Sequence, residues 1–320
     1  MTTTSFVADV GGTNIRLALV DENHVSSIKT YLCGDFASID QAIEQFRVDS
    51  DVSHFRYGCI AIASPVGGDI VTMTNHSWSF SKKALSNTLQ LEQLLVINDF
   101  AAVAFSLPEL TDDQLIPLGQ GHPEPKGNKA VFGPGTGLGV KHLTWTHTGW
   151  QTLDGEGGHV DFSPTDEIDL HIWRYLHKKH GRVSTEEVLS GRGLVNIYSA
   201  LAEVNGCESV LQTPAQVTES ARDKSNPTSV LAVEQFCRIM GVFAGNLALN
   251  LRTTGGVFIG GGVTSKLGGM FINSNFREYF EAKGAMADYV KSIPTYLINE
   301  HYHGLIGAKA FLTQHTERTR

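Results

Sequence analysis

At 320 residues the chain exceeds the size at which a single hydrophobic core stops growing, so two domains are expected. Hydrophobic residues at 41% and charged residues at 18% exclude a disordered chain, and a formal net charge of -8 argues against a nucleic-acid surface, which needs clustered Lys and Arg. Cys33, Cys59, Cys207 and Cys237 lack C-x-x-C spacing, which excludes a zinc cluster or disulfide framework and reads as buried thiols; with no basic leader and no run approaching a membrane span, the cytoplasm is the expected compartment.

The first predicted elements form a hairpin. Phe6-Val7-Ala8 reads as a buried strand and Ile15 to Val20 as a half-exposed one, with Asp9-Val10-Gly11-Gly12-Thr13-Asn14 between them. Gly11 and Gly12 let backbone approach a ligand, and their N–H groups and the Thr13 hydroxyl are donors for phosphate oxygens. Asp9 would face a metal ion. An ordinary Gly-Gly hairpin turn is the competing reading of this motif taken alone.

Tyr57 to Ala63 and Leu94 to Ile97 read as buried strands. The second runs into Asn98-Asp99 and then Phe100 to Phe105, a helix-compatible stretch ahead of Pro108. Ligands collect at the carboxyl ends of strands in parallel α/β sheets, which places Asp99 where chemistry is expected. Capping of the following helix is the alternative role for the same carboxylate.

Lys129 to Phe132 and Val140 to Trp145 flank a second turn, Gly133-Pro134-Gly135-Thr136-Gly137-Leu138-Gly139. Two strand–turn–strand units imply a duplicated α/β domain, with Gly135, Thr136 and Gly137 as further phosphate donors. Only the first copy keeps an acid. Neither turn is a Walker loop, because no Lys-Ser or Lys-Thr follows, and neither is a Rossmann fingerprint, because the residues after each turn read as extended.

Glu156 and His159 lie in a glycine-rich turn, Asp154-Gly155-Glu156-Gly157-Gly158-His159. H-E-x-x-H is absent, so an acceptor and a switchable donor here suit adjacent hydroxyls of a small polyol better than a metal. Ile168, Ile172 and Leu176 predict one face of a helix capped near Thr165 and ended at Gly181; Leu194, Ile197, Leu201 and Val204 predict another, and Phe236, Met240, Phe243 and Leu247 a longer core helix. Ser184 with Glu187 has the spacing of a capping box, which leaves Glu186 as a surface carboxylate on spacing alone. The strand Gly256 to Ile259 leads into Gly260, Gly261 and Gly262, a turn on which a flat base could lie. A last helix from about Gly304 to Leu312 presents Leu305, Ala308 and Phe311 to the first domain and forms a hinge there.

Taken together, the Asp9 and Gly133 turns, Met73-Thr74-Asn75-His76-Ser77-Trp78, Ile97-Asn98-Asp99-Phe100, Gly155-Glu156-Gly157-Gly158-His159 and Ser190-Gly191-Arg192-Gly193-Leu194 resemble the bacterial glucokinases over nearly the whole chain. The resemblance is to the non-ROK branch, since ROK sugar kinases follow a similar Glu-x-Gly-His motif with a cysteine-rich zinc site. It implies a two-domain α/β fold of the actin-like, ribonuclease-H-like ATPase type with an interdomain cleft. The expected division is 1–110 plus about 301–320 as the small domain and 111–300 as the large one.

The resemblance further implies ATP-dependent phosphorylation of glucose at its 6-hydroxyl, with ATP and Mg2+ as cofactors and a homodimer as the assembly. It makes Asp99 the base, puts Asn75, Asn98, Glu156, His159 and Glu186 on the sugar, Asp9 on the magnesium side, Gly11 to Asn14 and Gly135 to Gly137 on phosphates, and Gly260 to Gly262 on the nucleotide. Glu187 beside Glu186 leaves open which carboxylate faces the sugar. The alternatives are a broader hexose kinase, a sugar-sensing regulator, which would need a DNA-binding domain, and an actin-like ATPase without sugar chemistry.

Overall fold

The structure is a computed structural model describing residues 4–21, 24–74 and 76–316. It divides into two compact units, Met1–Thr111 with Glu300–Arg320, and Asp112–Asn299.

The first unit is built on a sheet. Strands β1 (Ser5–Val10), β2 (Asn14–Asp21) and β3 (His24–Leu32) form an antiparallel meander; helix α1 (Ile39–Asp49) leads to β4 (Tyr57–Ile62), a small ribbon of β5 (Ile70–Thr72) and β6 (Ser79–Ser81), and α2 (Lys82–Thr88). Then β7 (Gln93–Asn98) runs into α3 (Asp99–Ser106). The sheet order is β3-β2-β1-β4-β7, with β4 parallel to both β1 and β7.

Because successive side chains of a strand point to opposite faces, β1 feeds two cores. Phe6, Ala8 and Val10 meet Ile39, Ile43 and Phe46 of α1 on one side. Val7 meets Leu305, Ala308 and Leu312 of the C-terminal helix, His303–Thr316, on the other. That helix crosses α3 closely: a Cβ at Gly307 would lie 1.7 Å from Ala102 O, so only glycine permits the approach.

The second unit repeats the plan. Strands β8 (Leu115–Pro117), β9 (Lys129–Pro134), β10 (Leu138–Thr146) and β11 (Gly149–Leu153) precede helices α4 (Glu167–His180), α5 (Gly191–Val204), α6 (Pro214–Arg222) and α7 (Pro227–Leu251). They are followed by β12 (Val257–Ile259), four short helices, α8 (Gly262–Leu267), α9 (Gly269–Ile272), α10 (Phe276–Glu281) and α11 (Ala287–Lys291), and β13 (Thr295–Ile298). The order β11-β10-β9-β12-β13 pairs as the first sheet does, antiparallel then parallel, and β8 adds an antiparallel edge. The duplication expected from the two glycine turns is therefore present as matching sheet topology.

Helix α7 fills the centre of this core, with Phe243 set edge-on to Phe132 of β9 at 5.4 Å between ring centres. By length and composition α7 is apolar enough to cross a membrane, which corrects the expectation that no run approaches that length. Its apolar window is 67% buried, so the core of the unit accounts for its character.

Several local expectations are corrected. Helix α4 is capped by Asp166 and ends at Gly181, as expected, but Ile168 is exposed. The buried place beside Ile172 belongs to Asp169, whose carboxylate accepts from Gln235 Nε2 at 2.6 Å and Thr165 Oγ1 at 2.7 Å and so tolerates burial. Val204 ends α5 exposed, and Cys207 is exposed while Cys33, Cys59 and Cys237 are buried.

Candidate active site

In the first unit, the β1–β2 turn closes with Gly11 N donating to Asn14 O at 2.9 Å. Cys33 braces it from behind, its N–H donating to Thr13 O at 2.8 Å, and Thr13 is left exposed at the tip. Register places Asp9 opposite Arg16, whose Nη1 donates to Asp9 Oδ2 at 3.0 Å. The carboxylate lies against Gly304 in the first turn of the C-terminal helix, where the positive end of the helix dipole suits a negative charge.

The step from β7 into α3 positions the second acid. Asn98, not Asp99, caps the helix: its Oδ1 accepts from Phe100 N at 3.1 Å and Ala101 N at 3.3 Å. The same side chain turns its Nδ2 to Asp99 Oδ1 at 2.9 Å, so the cap also orients the acid. Asp99 is half-buried, and loss of water around its carboxyl raises its pKa; the Asp9 charge raises it further, against hydrogen bonds from the helix start and Asn98. Asp9 and Asp99 thus form an acidic pair with unequal surroundings. Asn75 lies outside the described residues.

In the second unit the β9–β10 turn is one residue tighter, Gly135 N donating to Gly137 O at 2.8 Å, with Thr136 exposed. Gly261 has φ +90°, and a Cβ there would fall 2.4 Å from Pro134 O; glycine is required on both counts. Gly260 N donates to Phe132 O at 2.9 Å, and Gly262 opens α8. Gly191 N at the start of α5 donates to Gly135 O at 2.8 Å.

Around this turn lies a cavity of about 820 Å³, lined in part by Gly135, Thr136, Arg192, Arg222, Gly262 and Lys266. Its volume suits a drug-sized or nucleotide-sized ligand. Arg192, Arg222 and Lys266 were not singled out as site residues in the sequence; they sit on three separate helices, and no local spacing could reveal that they meet.

Glu156, His159 and Glu186 are gathered at the start of β10. Thr185 N donates to Val160 O at 2.8 Å and Phe162 N to Val183 O at 2.9 Å, which zips the Glu156–His159 loop to the segment bearing Glu186. Glu156 and His159 are exposed, while Gly158 packs onto Leu138 O. Glu186 Oε2 accepts from Leu138 N at 2.9 Å. The expected Ser184–Glu187 capping box is absent: Ser184 makes no side-chain cap, and Glu187 instead binds Arg192 Nη2 at 2.7 Å and Asn196 Nδ2 at 3.3 Å. Glu187 is committed to these partners, whereas Glu186 faces the glycine turn. No cluster of three or more His, Cys, Asp or Glu able to hold a metal occurs among the described residues.

The family profile described as Glucokinase matches residues 6–315. A protein named glucokinase from Cronobacter sakazakii is 45% identical over 316 residues, covering 98% of each chain. One from Colwellia psychrerythraea is 43% identical over 319 residues, covering 97% of this chain and 96% of its own. The crystal structure of a glucokinase from an Antarctic psychrotroph is 33% identical, superposes with a TM-score of 0.93, and covers 98% of this chain and 99% of its own.

Proposed function

The chain belongs to the glucokinase family, whose reaction is ATP-dependent phosphorylation of glucose, and from that premise we propose that Asp99 accepts the proton of the glucose 6-hydroxyl as it attacks the γ-phosphorus of ATP. The observation that carries this reading is the setting of Asp99: half-buried, with a raised pKa, and oriented by the cap of the helix it opens. A carboxylate shifted in that direction is a stronger base than one in water, and the Asn98 Nδ2 bond to Oδ1 fixes its orientation.

Glu156, His159 and Glu186 accept from and donate to the remaining sugar hydroxyls, and the resemblance assigns Asn75 and Asn98 to the same sugar. A sugar that inverts or lacks a matched hydroxyl would leave one of these groups unpaired, which makes discrimination of up to about 10⁴ available. Gly11 N–H and Gly135 N–H close their turns, so the phosphates take the Thr13 and Thr136 hydroxyls and the remaining N–H groups of Gly11 to Asn14 and Gly135 to Gly137, and Gly260 to Gly262 border the nucleoside end. Asp9 is the residue that would hold magnesium, through water; one carboxylate oxygen engaged by Arg16 and the other not so engaged fits an ion that keeps most of its waters and binds substrate phosphates. When bound, the ion neutralises phosphate charge. A cytoplasmic homodimer completes the proposal.

Glucose-dependent ADP release tests it. ADP formed only when glucose is present, with an equal amount of sugar phosphate, is the expected result. ADP formed equally without sugar would make the protein a conformational ATPase, and no ADP in either case a regulator. Equal efficiency with glucose, mannose, galactose and fructose would overturn the polar reading of the sugar.

A further inference from the structure

Arg192 is the second residue of α5, and the start of that helix is tied to both functions of the second unit. Gly191 N donates to Gly135 O of the glycine turn, and Ser190 Oγ donates to Glu186 O at 2.8 Å. From this root the guanidinium reaches Glu187 Oε1 at 2.7 Å and Glu186 Oε1 at 3.5 Å, and it also lines the cavity beside Thr136. The Glu186 and Glu187 side chains are only 19% and 17% exposed, against 55% for Arg192. Two largely shielded carboxylates therefore share one cation whose side chain is open to solvent.

An ion pair with so exposed a partner is weak, whereas phosphate offers a guanidinium a charge-assisted bidentate bond. We propose that Arg192 is a positioning residue that couples nucleotide binding to sugar binding. A phosphate in the cavity draws the guanidinium from Glu186 and releases Oε1 for a sugar hydroxyl. Glu187, held also by Asn196, is the anchor to which Arg192 returns. Linkage makes the effect reciprocal, so glucose on Glu186 releases Arg192 toward phosphate. This inference rests on the assignment of Glu186 to the sugar.

The test is the glucose dissociation constant of the full chain, measured by titration calorimetry with and without a saturating non-hydrolysable ATP analogue. Wild type is expected to bind glucose at least about fivefold more tightly with the analogue present. Arg192→Ala is expected to give the same affinity in both conditions, and Arg192→Lys, which keeps the charge but not the planar fork, an intermediate ratio. A wild-type ratio of one, or a variant ratio equal to that of wild type, overturns the proposal; if the Ala variant does not fold, the Lys ratio decides. Wild type that binds no glucose in either condition overturns instead the functional reading beneath it.

Discussion

The β1–β2 and β9–β10 turns each close on a backbone bond from their first glycine, Gly11 N to Asn14 O three residues on and Gly135 N to Gly137 O two residues on, and each leaves a threonine exposed at its tip. They differ one residue before the last strand pair, where β1 carries Asp9 and β9 carries Gly133. At Asp9 the acid is part of the strand and is fixed by register against Arg16. At Gly133 the backbone is approached by Gly261, and the carboxylate of that region, Glu186, arrives from a loop to take Leu138 N. The two units thus share a glycine turn and differ in how the acid beside it is held: one is built into the sheet, and the other reaches the turn from a separate segment through Leu138 N.

The largest effect expected from breaking this contrast is at the first unit's second acid. Asp99→Asn should lower kcat by about 10² to 10⁴ while glucose affinity survives, as read by steady-state rates and a binding titration. A near-normal kcat removes Asp99 from the role. Because folding raises the Asp99 pKa, the native state binds that proton more readily than the unfolded chain, and stability withheld at neutral pH returns as the pH falls through the raised value. The Asn variant should therefore melt above wild type at neutral pH, by a margin that shrinks on acidification. The wild-type kcat/KM should fall as Asp99 is protonated.

Glu186→Gln comes next. Loss of a charged acceptor for a sugar hydroxyl should raise the glucose KM by roughly tenfold to a hundredfold, the factor corresponding to about 1.5–3 kcal/mol, with the Tm nearly unchanged. An unaltered glucose KM would move sugar recognition away from the loop-borne acid.

Two glycine substitutions separate the units. Gly307→Ala forces a methyl into Ala102 O, and Gly261→Ala one into Pro134 O at a positive φ. Each should cost about 1–3 kcal/mol in denaturant unfolding. The first should depress kcat by shifting α3 and Asp99, and the second should raise the ATP KM; the reverse pattern would contradict the division of labour. The smallest effect belongs to Gly262→Ala, where an added Cβ meets nothing within 4 Å, so stability should stay within about 0.5 kcal/mol of wild type.

The hairpins were legible because glycine turns flanked by apolar runs leave few other folds, and the Asn98-Asp99 step because an acid follows a buried strand. The sequence did not separate cap from candidate acid there, since Asn and Asp favour the same helix position and only the hydrogen bonds assign Asn98 to it. Spacing failed at Ile168 because Gln235, 66 residues beyond Asp169, supplies the partner that lets that carboxylate be buried. The Ser184–Glu187 pattern failed likewise when Arg192 and Asn196 claimed Glu187. Arg192, Arg222 and Lys266 converge only in three dimensions.

The most direct measurement is phosphorus–carbon coupling in the NMR spectrum of the product made by the wild-type protein from ATP and glucose. A phosphorus coupled to carbon 6 is the predicted result. Phosphorus coupled to any other carbon, or ADP accumulating with only free phosphate, would contradict the placement of Asp99 at the sugar's primary alcohol.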